Sequence, residues 1–369
     1  MKILILAQTP PPFHGQAIMQ KYLVDAEWDW CEKKHIRMSY SSKIDEVGKL
    51  KISKIIVLWK IVFNVWKERI KGKIDVIYYP PAGPNKIPFY RDVITLLLIR
   101  WTAKKIIFHF HAGGINKLLS KLNFVEKIFA DIALRKPDTS IILSDMFKNE
   151  IEWFESRKLF VIPNGIKDVQ PRKSKIESEK IIKILTVGLI SKEKGIFTLI
   201  ETANKLKDIN ISFEWVIIGR FASESLEKQC KNRIASLNLS NELNFVGEKY
   251  NEEKWYFYNN ADIFVFLSFQ TEAQPLVLLE AMMFGLPLVA TDWRGIPEIV
   301  DDGVNGFLVP VNNPEASAEK IKVLAGDYEL RNRLGNEGRK KFLENYTVDK
   351  HLTAMENAIK QTALLNEEN

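Results

Sequence analysis

The sequence has 369 residues, which exceeds the size of one ordinary hydrophobic core and predicts two domains of similar size. Hydrophobic residues make up 46% and charged residues 27% of the chain, a balance that excludes disordered and fibrous proteins. The net charge of +7 is unevenly distributed, with +11 in residues 1–165 and −4 in the remainder. This asymmetry indicates either a basic half that faces a polyanion or an anionic membrane, or a solvated lysine-rich surface.

The chain begins with a short apolar run, Ile3 to Ala7, that is followed at once by prolines. Such a run is too short for the apolar core of a secretory signal peptide, and no stretch reaches ~18 consecutive apolar residues. The two cysteines, Cys31 and Cys230, match neither metal-ligand nor redox spacing and indicate ordinary thiols in a reducing compartment. We therefore expect a cytoplasmic protein.

Short apolar runs bounded by glycine or proline alternate with helical patterns in the first half, which is typical of α/β folds with parallel sheets. The strands predicted there are Lys2–Ala7, Val76–Tyr79, Lys105–Phe110, Thr139–Leu143 and Leu159–Ile162. We expect residues 1–166 to form one Rossmann-like domain.

A lysine-rich stretch from Lys49 to Lys73 predicts an amphipathic helix. Its apolar stripe keeps the i, i+3, i+4 spacing of one helix face and consists of Ile52, Ile55, Ile56, Trp59, Val62, Phe63 and Trp66. The favoured interpretation is an ordinary helix that packs this stripe on the sheet and leaves a basic face in water. The alternative is a basic amphipathic helix lying on an anionic membrane.

Residues 167–180 are polar and charged and predict an interdomain linker. The strands predicted beyond it are Ile182–Val187, Glu214–Ile218, Asn244–Val246, Ile263–Leu267 and Leu288–Ala290, and the helices are Gly195–Lys207, Ser223–Leu237 and Leu276–Phe284. We expect residues 181–345 to form a second doubly wound domain that faces the first across a cleft. Residues 346–369 are expected to form a helix that crosses back to the first domain. Ligands of such sheets bind at the carboxyl ends of the strands.

The most informative segment runs from Ala261 to Pro310. A loop that carries Glu272 follows a predicted strand, and Pro275 lies where helices accept proline, in the first turn. The amide groups of that turn and the helix dipole favour phosphate or sugar oxygens. Glu280 falls in the second turn, where a carboxylate is able to accept two ribose hydroxyls. The alternative is that Glu272 and Glu280 are ordinary solvated surface residues. Their position, after a predicted strand and at the start of a predicted helix, argues against it.

The stretch from Glu272 to Pro287, EAQPLVLLEAMMFGLP, followed by GIPEIVDDGVNGFLVP, resembles the E-x7-E signature of retaining family 4 glycosyltransferases with the GT-B fold. The resemblance implies that Glu280 holds the ribose of a nucleotide-sugar donor and that Glu272 contacts the transferred hexose. It also implies that the sugar and diphosphate meet the backbone of the turn formed by Ala273, Gln274, Pro275 and Leu276.

A second motif, TVGLISKEKG, spans Thr186 to Gly195. The family has a strand, then G-R-L, then K-G at the start of a helix. Gly188 allows close backbone approach, and Lys194 matches the lysine that neutralises the donor phosphates. Leu189 stands where the family has arginine, so one of two cations is missing. We expect Lys192, or Arg220 after the strand end at Gly219, to compensate.

Weaker matches lie elsewhere. The loop AQTPPPFHGQ resembles the family's first glycine loop, of which only Gly15 is present, and His14 beside it is interpreted as a loop residue.

The strand end FHFHAGG carries the histidine pair His109 and His111. The resemblance implies that His111 faces the donor sugar, whereas one histidine of the pair is expected to be packed and hydrogen-bonded to the backbone. A zinc site is disfavoured because no third ligand has a clear spacing. Glu248, after the strand end NFVG, opens the loop expected to contact the base.

The resemblance implies a retaining hexosyltransferase that favours a UDP-sugar and needs no metal or other cofactor. It also implies a glycan or polyprenyl-linked acceptor, bound by the domain of residues 1–166, and a role in bacterial surface polysaccharide synthesis. Lys194, Glu272 and His111 are the residues assigned to catalysis. A nucleotide-sugar 2-epimerase and a catalytically silent GT-B partner subunit remain as alternatives. Nucleic-acid binding is not expected, because the basic surplus has no accompanying readout motif. Location on the inner membrane as a peripheral protein stays open.

Overall fold

A computed structural model gives the structure of the protein and describes residues 1–12, 14–40, 52–83, 85–170, 181–271 and 273–365. The chain divides into two compact units. The first comprises residues 1–165 with 348–369, and the second comprises residues 166–347. Most of the predicted linker, residues 171–180, lies outside the described residues.

The first unit is built on a six-stranded parallel sheet of order β2-β1-β3-β4-β5-β6. Its elements are β1 (Lys2–Ala7), α1 (Gly15–Asp25), β2 (Glu32–Arg37), α2 (Ile52–Lys71), β3 (Ile74–Tyr79), α3 (Lys86–Ile99), a 3₁₀ turn (Arg100–Thr102), β4 (Ala103–Phe110), α4 (Ile115–Leu119), α5 (Phe124–Leu134), β5 (Thr139–Ile142), α6 (Lys148–Ile151) and β6 (Lys158–Val161). Strand order reverses between β1 and β3, because the chain leaves β1 toward β2 and then crosses to the other side.

The second unit repeats this architecture with the parallel order β12-β11-β10-β7-β8-β9. Its elements are β7 (Ile182–Val187), α7 (Ile196–Asp208), β8 (Phe213–Ile218), α8 (Glu224–Ser236), β9 (Leu243–Phe245), α9 (Asn251–Asn260), β10 (Ile263–Phe266), α10 (Leu276–Met283), β11 (Leu288–Thr291), β12 (Gly306–Val309), α11 (Pro314–Gly326) and α12 (Tyr328–Asn345). Here strand order reverses between β7 and β10, and both faces of the sheet carry buried apolar clusters.

The last helix, α13 (Val348–Ala363), packs on the sheet of the first unit. Met355, Ala358 and Ile359 are fully buried there against a cluster that includes Ile5 and Tyr78. The α/β fold class, with two doubly wound parallel sheets, is therefore as predicted. Within the described residues, no helix combines the length and the apolar character needed to cross a bilayer.

Helix α2 corrects the favoured interpretation of the lysine-rich stretch. The side chains that pack inward are Leu58, Ile61, Val62 and Val65, whereas Ile55, Ile56, Trp59 and Phe63 are exposed. Of the predicted packing stripe, only Val62 is buried and Trp66 is half-buried, and the side chain of Ile52 lies outside the described residues. The helix is apolar on two faces. The i, i+3, i+4 spacing identified one of them, but the prediction that this face packs on the sheet was wrong.

Candidate functional site

The centre of the second sheet is where its strand order reverses, and two loops are joined there by backbone hydrogen bonds. The carbonyl of Glu193, in the loop after β7, accepts from the amides of Phe269 (2.8 Å) and Gln270 (3.1 Å) in the loop after β10. Open α/β sheets bind ligands at the carboxyl ends of the strands at such a reversal. The turn that contains Lys194 belongs to the first of these loops, and the second leads toward α10, so the fold brings these two segments together at the reversal.

Glycines line the neighbouring strand ends. Gly188, Gly219 and Gly247 follow β7, β8 and β9, and all three have positive φ. The Gly188 amide donates to the Ile218 carbonyl, and the Gly219 amide donates to the Gly247 carbonyl, both at 2.9 Å. A Cβ atom on Gly219 would overlap the Gly188 carbonyl oxygen. The sequence thus keeps bare backbone at this edge, where a ligand is able to approach closely.

Lys194 occupies the tight turn before α7. Its amide donates to Ser191 Oγ at 3.2 Å, and its Nζ lies 5.2 Å from the centre of the Phe266 ring at the end of β10. Gly195, with φ of +80°, is the N-cap of α7, and a Cβ at this position would overlap the Leu267 carbonyl. Backbone geometry therefore holds the half-buried Lys194 side chain over the reversal point. Lys192, in the same turn, is exposed.

Helix α10 begins at Leu276, and Pro275 is the residue immediately before it. The prediction that Pro275 lies inside the first turn was wrong by one position, because its ψ of 114° is extended and not helical. Ala273 and Pro275 are buried and Gln274 is half-buried. Glu272, predicted to contact the sugar, lies outside the described residues.

Glu280 is buried in the second turn of α10 and is engaged by two side chains of α9. Lys254 Nζ donates to its Oε1 at 2.6 Å, and Tyr258 OH donates to its Oε2 at 2.8 Å. Burial and the adjacent carboxylate raise the pKa of Tyr258 well above its ordinary value, so the phenol stays protonated as a donor. Sequence reasoning missed Lys254 and Tyr258, since only the i, i+4 spacing on α9 connects them and such spacing is common.

Arg220 and Glu248 follow β8 and β9 and approach each other, with Nε and Oε1 3.8 Å apart. The Arg220 carbonyl accepts from the Ile190 amide at 2.9 Å, which ties this residue to the loop that contains Leu189. Arg220 therefore lies beside the loop that contains Leu189, the residue found where the resemblance predicts an arginine.

In the first unit, Gly15 is the first residue of α1 and His14 is its N-cap. His14 Nδ1 accepts from the Ala17 amide at 3.3 Å. Burial lowers the pKa of His14, which keeps the imidazole neutral as a cap acceptor requires. His14 therefore serves the local structure, in agreement with its interpretation as a loop residue.

His109 and His111 point to the same side of β4, with ring centres 4.0 Å apart. His109 is buried and its Nδ1 bonds the Tyr78 hydroxyl at 2.7 Å, so its partner is a side chain and not the predicted backbone group. Burial lowers the pKa of His111 to about 3, with the His351 imidazole adding to the effect. The Nε2 atoms of both histidines are buried and find no hydrogen-bond partner among the described residues.

These histidines do not form a recognisable metal site. Among the described residues, no group of three or more His, Cys, Asp or Glu side chains is arranged to hold a metal ion. The two neutral imidazoles instead present one polar atom each inside the protein. A buried polar atom without a hydrogen-bond partner is energetically costly, so the two Nε2 atoms are candidates for hydrogen bonds to a ligand.

Comparison with known families gives a match in the second half of the chain. Residues 167–341 match the family described as Glycosyl transferases group 1. An uncharacterized glycosyltransferase of Methanocaldococcus jannaschii is 30% identical over 238 residues, which cover 64% of this chain and 63% of that protein. The capsular polysaccharide biosynthesis glycosyltransferase CapM of Staphylococcus aureus is 30% identical over 234 residues, 59% of this chain and 60% of CapM. These matches span less than two thirds of either relative.

Among solved structures, Anabaena HepE in complex with UDP covers 98% of this chain and 100% of its own, with a TM-score of 0.75 and 17% identity. HepE has also been solved with UDP-glucose. At this identity the likeness shows the fold alone. It confirms the GT-B fold predicted from the sequence.

Proposed function

We propose that the protein is a glycosyltransferase that transfers a hexosyl unit from a nucleotide-sugar, with a UDP-sugar favoured, and retains the anomeric configuration. The observation that carries the proposal is the joining of the Lys194 turn to the loop before α10 at the strand-order reversal of the second sheet. The family match covers this whole region. HepE binds UDP and UDP-glucose, which supports the choice of donor nucleotide.

In this proposal the diphosphate lies between Lys194 and the start of α10. Lys194 supplies the positive charge, and the backbone of Ala273, Gln274 and Leu276 supplies amide donors next to Pro275, aided by the helix dipole. Glycines 188 and 219 let the ligand approach the sheet edge. The departing diphosphate gains charge as the glycosidic bond breaks, so donors placed in advance lower the barrier.

Glu280 holds the ribose, and its buried contacts keep the carboxylate in one orientation. Glu248 lies at the start of the loop proposed to contact the base. Lys192 or Arg220 is proposed to supply the positive charge that is missing because Leu189 replaces the arginine. Glu272 and His111 are proposed to position the hexose, and a donor phosphate oxygen takes the acceptor proton. The reaction is proposed to need no metal and no carboxylate nucleophile, unlike that of glycoside hydrolases.

The acceptor is proposed to be a glycan or a polyprenyl-linked glycan, bound by the first unit. CapM acts in capsular polysaccharide biosynthesis, which supports a role in bacterial surface polysaccharide assembly. A lipid-linked acceptor would bring the enzyme to the cytoplasmic face of the inner membrane as a peripheral protein.

Thermal stabilisation by UDP-, GDP- and ADP-sugars tests the donor site. A ligand at 100 times its Kd stabilises the folded state by about 2.7 kcal/mol, a shift of a few degrees. We expect this shift with UDP-sugars and its loss in Lys194→Ala and Glu280→Ala. Lys322→Ala, at an exposed position of the same unit, is the control and should behave as wild type.

Four outcomes decide the assignment. No stabilisation by any nucleotide-sugar would contradict it and favour a silent partner subunit. Isomerised donor sugar formed without acceptor would identify an epimerase. With a lipid-linked acceptor, Lys194→Ala should lower kcat by about 100-fold or more, the scale of losing one charge-stabilising donor. NMR of the product should show the donor's anomeric configuration.

A further inference from the structure

One side of the first unit carries an unusual outer surface. Helices α2, α3 and α5 lie in one layer on the sheet, with α3 packed between the other two. Trp66 Nε1 of α2 donates to the Leu98 carbonyl of α3, and Tyr90 OH of α3 donates to Glu126 of α5. Helices α1 and α13 pack against each other elsewhere in the unit. The outward sides of α2, α3 and α5 therefore form one continuous surface, here called the three-helix face.

The outward side of α2 is apolar. At about 100° per residue, Ile55, Ile56, Trp59, Phe63 and Ile70 fall within an arc of about 100°, and all five are exposed. Phe63 is 65% exposed although the opposite side of the same helix is packed on the sheet. An amphipathic helix of a soluble domain normally presents this arc to its core.

Helix α5 repeats the arrangement independently. Its exposed residues include Phe124, Val125, Ile128, Phe129 and Ile132, which share an arc of about 140°, while Ala130, Ala133 and Leu134 are buried. Phe124 is 79% exposed. Between the two helices, Ile94 of α3 and Trp101 of the following turn add to the same surface.

These twelve side chains are half of the 24 large hydrophobic residues that are exposed in the described part of the chain. The rest are distributed over both units. An apolar surface concentrated in this way marks an interaction site.

The charges around the three-helix face select the occupant. Exposed basic side chains border it, namely Lys60, Lys67, Arg69, Lys86, Lys121 and Lys127. The four acidic residues of the three helices, Glu68, Asp92, Glu126 and Asp131, are all buried or half-buried. Bonds from Lys2 and Lys71 lower the pKa of Glu68 to about 2, so its charge is satisfied inside the protein. The exposed charge is therefore positive.

An apolar centre with Trp and Phe, bordered by lysine, matches the layering of an anionic bilayer. Aromatic and aliphatic side chains enter the headgroup boundary, and long basic side chains reach the lipid phosphates. Protein–protein interfaces, in contrast, are depleted in lysine. We propose that the three-helix face is the surface by which this protein docks on an anionic lipid bilayer. The inference deepens the proposed function, because a lipid-linked acceptor requires such contact, but the surface itself is independent of the reaction.

Vesicle co-sedimentation of the full chain tests the proposal. We expect binding to phosphatidylcholine vesicles that contain 30% phosphatidylglycerol at 0.1 M salt, and at least tenfold weaker binding to phosphatidylcholine alone. Phe63→Gln with Phe129→Gln should weaken binding at least tenfold. Lys60→Gln with Lys67→Gln should weaken it roughly 25-fold, since each basic residue near an anionic surface contributes about fivefold.

Matched controls exist in the second unit. Val323→Gln with Leu343→Gln alters two exposed apolar residues of α11 and α12, and Lys228→Gln with Lys322→Gln removes two exposed charges. Both should bind vesicles as wild type does. Quenching of Trp59 and Trp101 fluorescence by brominated lipid, lost in Trp59→Phe with Trp101→Phe, would place the three-helix face in the bilayer.

Three results would overturn the proposal: no binding to anionic vesicles, binding that all four face substitutions leave unchanged, or a stable dimer in solution that Phe63→Gln with Phe129→Gln dissociates. No donor or turnover enters this assay, so it can fail while the thermal-shift assignment of the donor site stands. The reverse also holds. The face variants should keep wild-type stabilisation by UDP-sugar.

Discussion

Glu280 is proposed to hold the donor ribose, which requires a carboxylate that keeps one orientation and is still able to accept hydrogen bonds. Its surroundings meet both requirements. Each of its oxygens accepts one bond from α9, at 2.6 Å from Lys254 and 2.8 Å from Tyr258. A carboxylate has about four lone-pair positions, so two remain for a ligand. The site is thus preorganised by residues that need not touch the substrate.

Removing the Tyr258 hydroxyl tests this arrangement. Tyr258→Phe keeps the ring that stacks on Phe264 and Phe284 but leaves Glu280 Oε2 without its donor. We expect a loss of about 1–2 kcal/mol in the free energy of unfolding. The KM for the donor should rise about three- to tenfold with kcat nearly unchanged, because ribose binding is shared by ground and transition states.

Tyr256→Phe is the control on the same helix, since Tyr256 is 64% exposed, and should match wild type in both measurements. Unchanged donor KM in Tyr258→Phe would mean that Glu280 needs no support from α9. A fall in kcat alone would place Tyr258 in the chemical step and contradict the positioning role.

At the scale of secondary-structure elements, the strand ends of the second sheet show why glycine recurs after β7 and β8. The two backbones approach so closely that the position occupied by Gly219 has no room for a side chain. Its φ of +150° is also one that other residues rarely adopt. The same positions form the edge proposed to receive the donor, so the fold and the site share one requirement.

Gly219→Ala should therefore damage both. We expect a loss of roughly 3 kcal/mol or more in stability from backbone overlap and strain, together with loss of UDP-sugar stabilisation. Gly326→Ala is the matched control, because a Cβ there meets nothing within 4 Å and the residue ends helix α11. It should be neutral or slightly stabilising. Urea unfolding of both variants measures the difference, and equal stabilities would refute the steric argument.

The elements also show what sequence patterns determine. Central strands such as β1 and β7 were predicted with their observed bounds, since short, mostly apolar runs between turn residues have few other structures. Strand β2 was missed because its sequence, EKKHIR, is charged and only Ile36 is buried at this sheet edge. Strand β12, at the other sheet's edge, was missed too. Which face of α2 packs inward, and which side chains bond Glu280, depend on contacts between segments that are distant in the sequence. The periodicity of a single segment carries no information about such contacts.

At the scale of the whole molecule, the histidines are divided unequally between the two units, each of which has its own sheet and core. All five histidines, His14, His35, His109, His111 and His351, belong to the first unit. Burial lowers the pKa of each of them. His351, on α13, is buried and bonds the Pro163 carbonyl at 2.7 Å, so the helix that closes the first unit is attached by a neutral imidazole.

This distribution predicts that mild acid destabilises the first unit. A folded-state pKa of about 3 for His111 and about 4 for His351 lies below the ordinary value near 6.5, so the unfolded chain binds more protons between these limits. The stability that these two neutral imidazoles contribute is fully present above pH 6.5 and is lost as the pH falls toward their folded-state pKa values. Each of these two histidines should contribute a loss of about 2 kcal/mol between pH 8 and pH 5. The carboxyl groups of an unfolded chain titrate mainly below this window, at about pH 4, so protonation of histidine dominates the loss.

Urea unfolding of wild type and His351→Asn at pH 8, 6 and 5 measures this dependence. His351→Asn removes one titrating group, so it should be less stable than wild type at pH 8 yet lose about 2 kcal/mol less on going to pH 5. Limited proteolysis at pH 5 should cut residues 1–165 and 348–365 before the second unit, because the second unit contains no histidine to protonate. Equal pH slopes for the two proteins, or earlier cleavage in the second unit, would show that the buried imidazoles do not control acid stability.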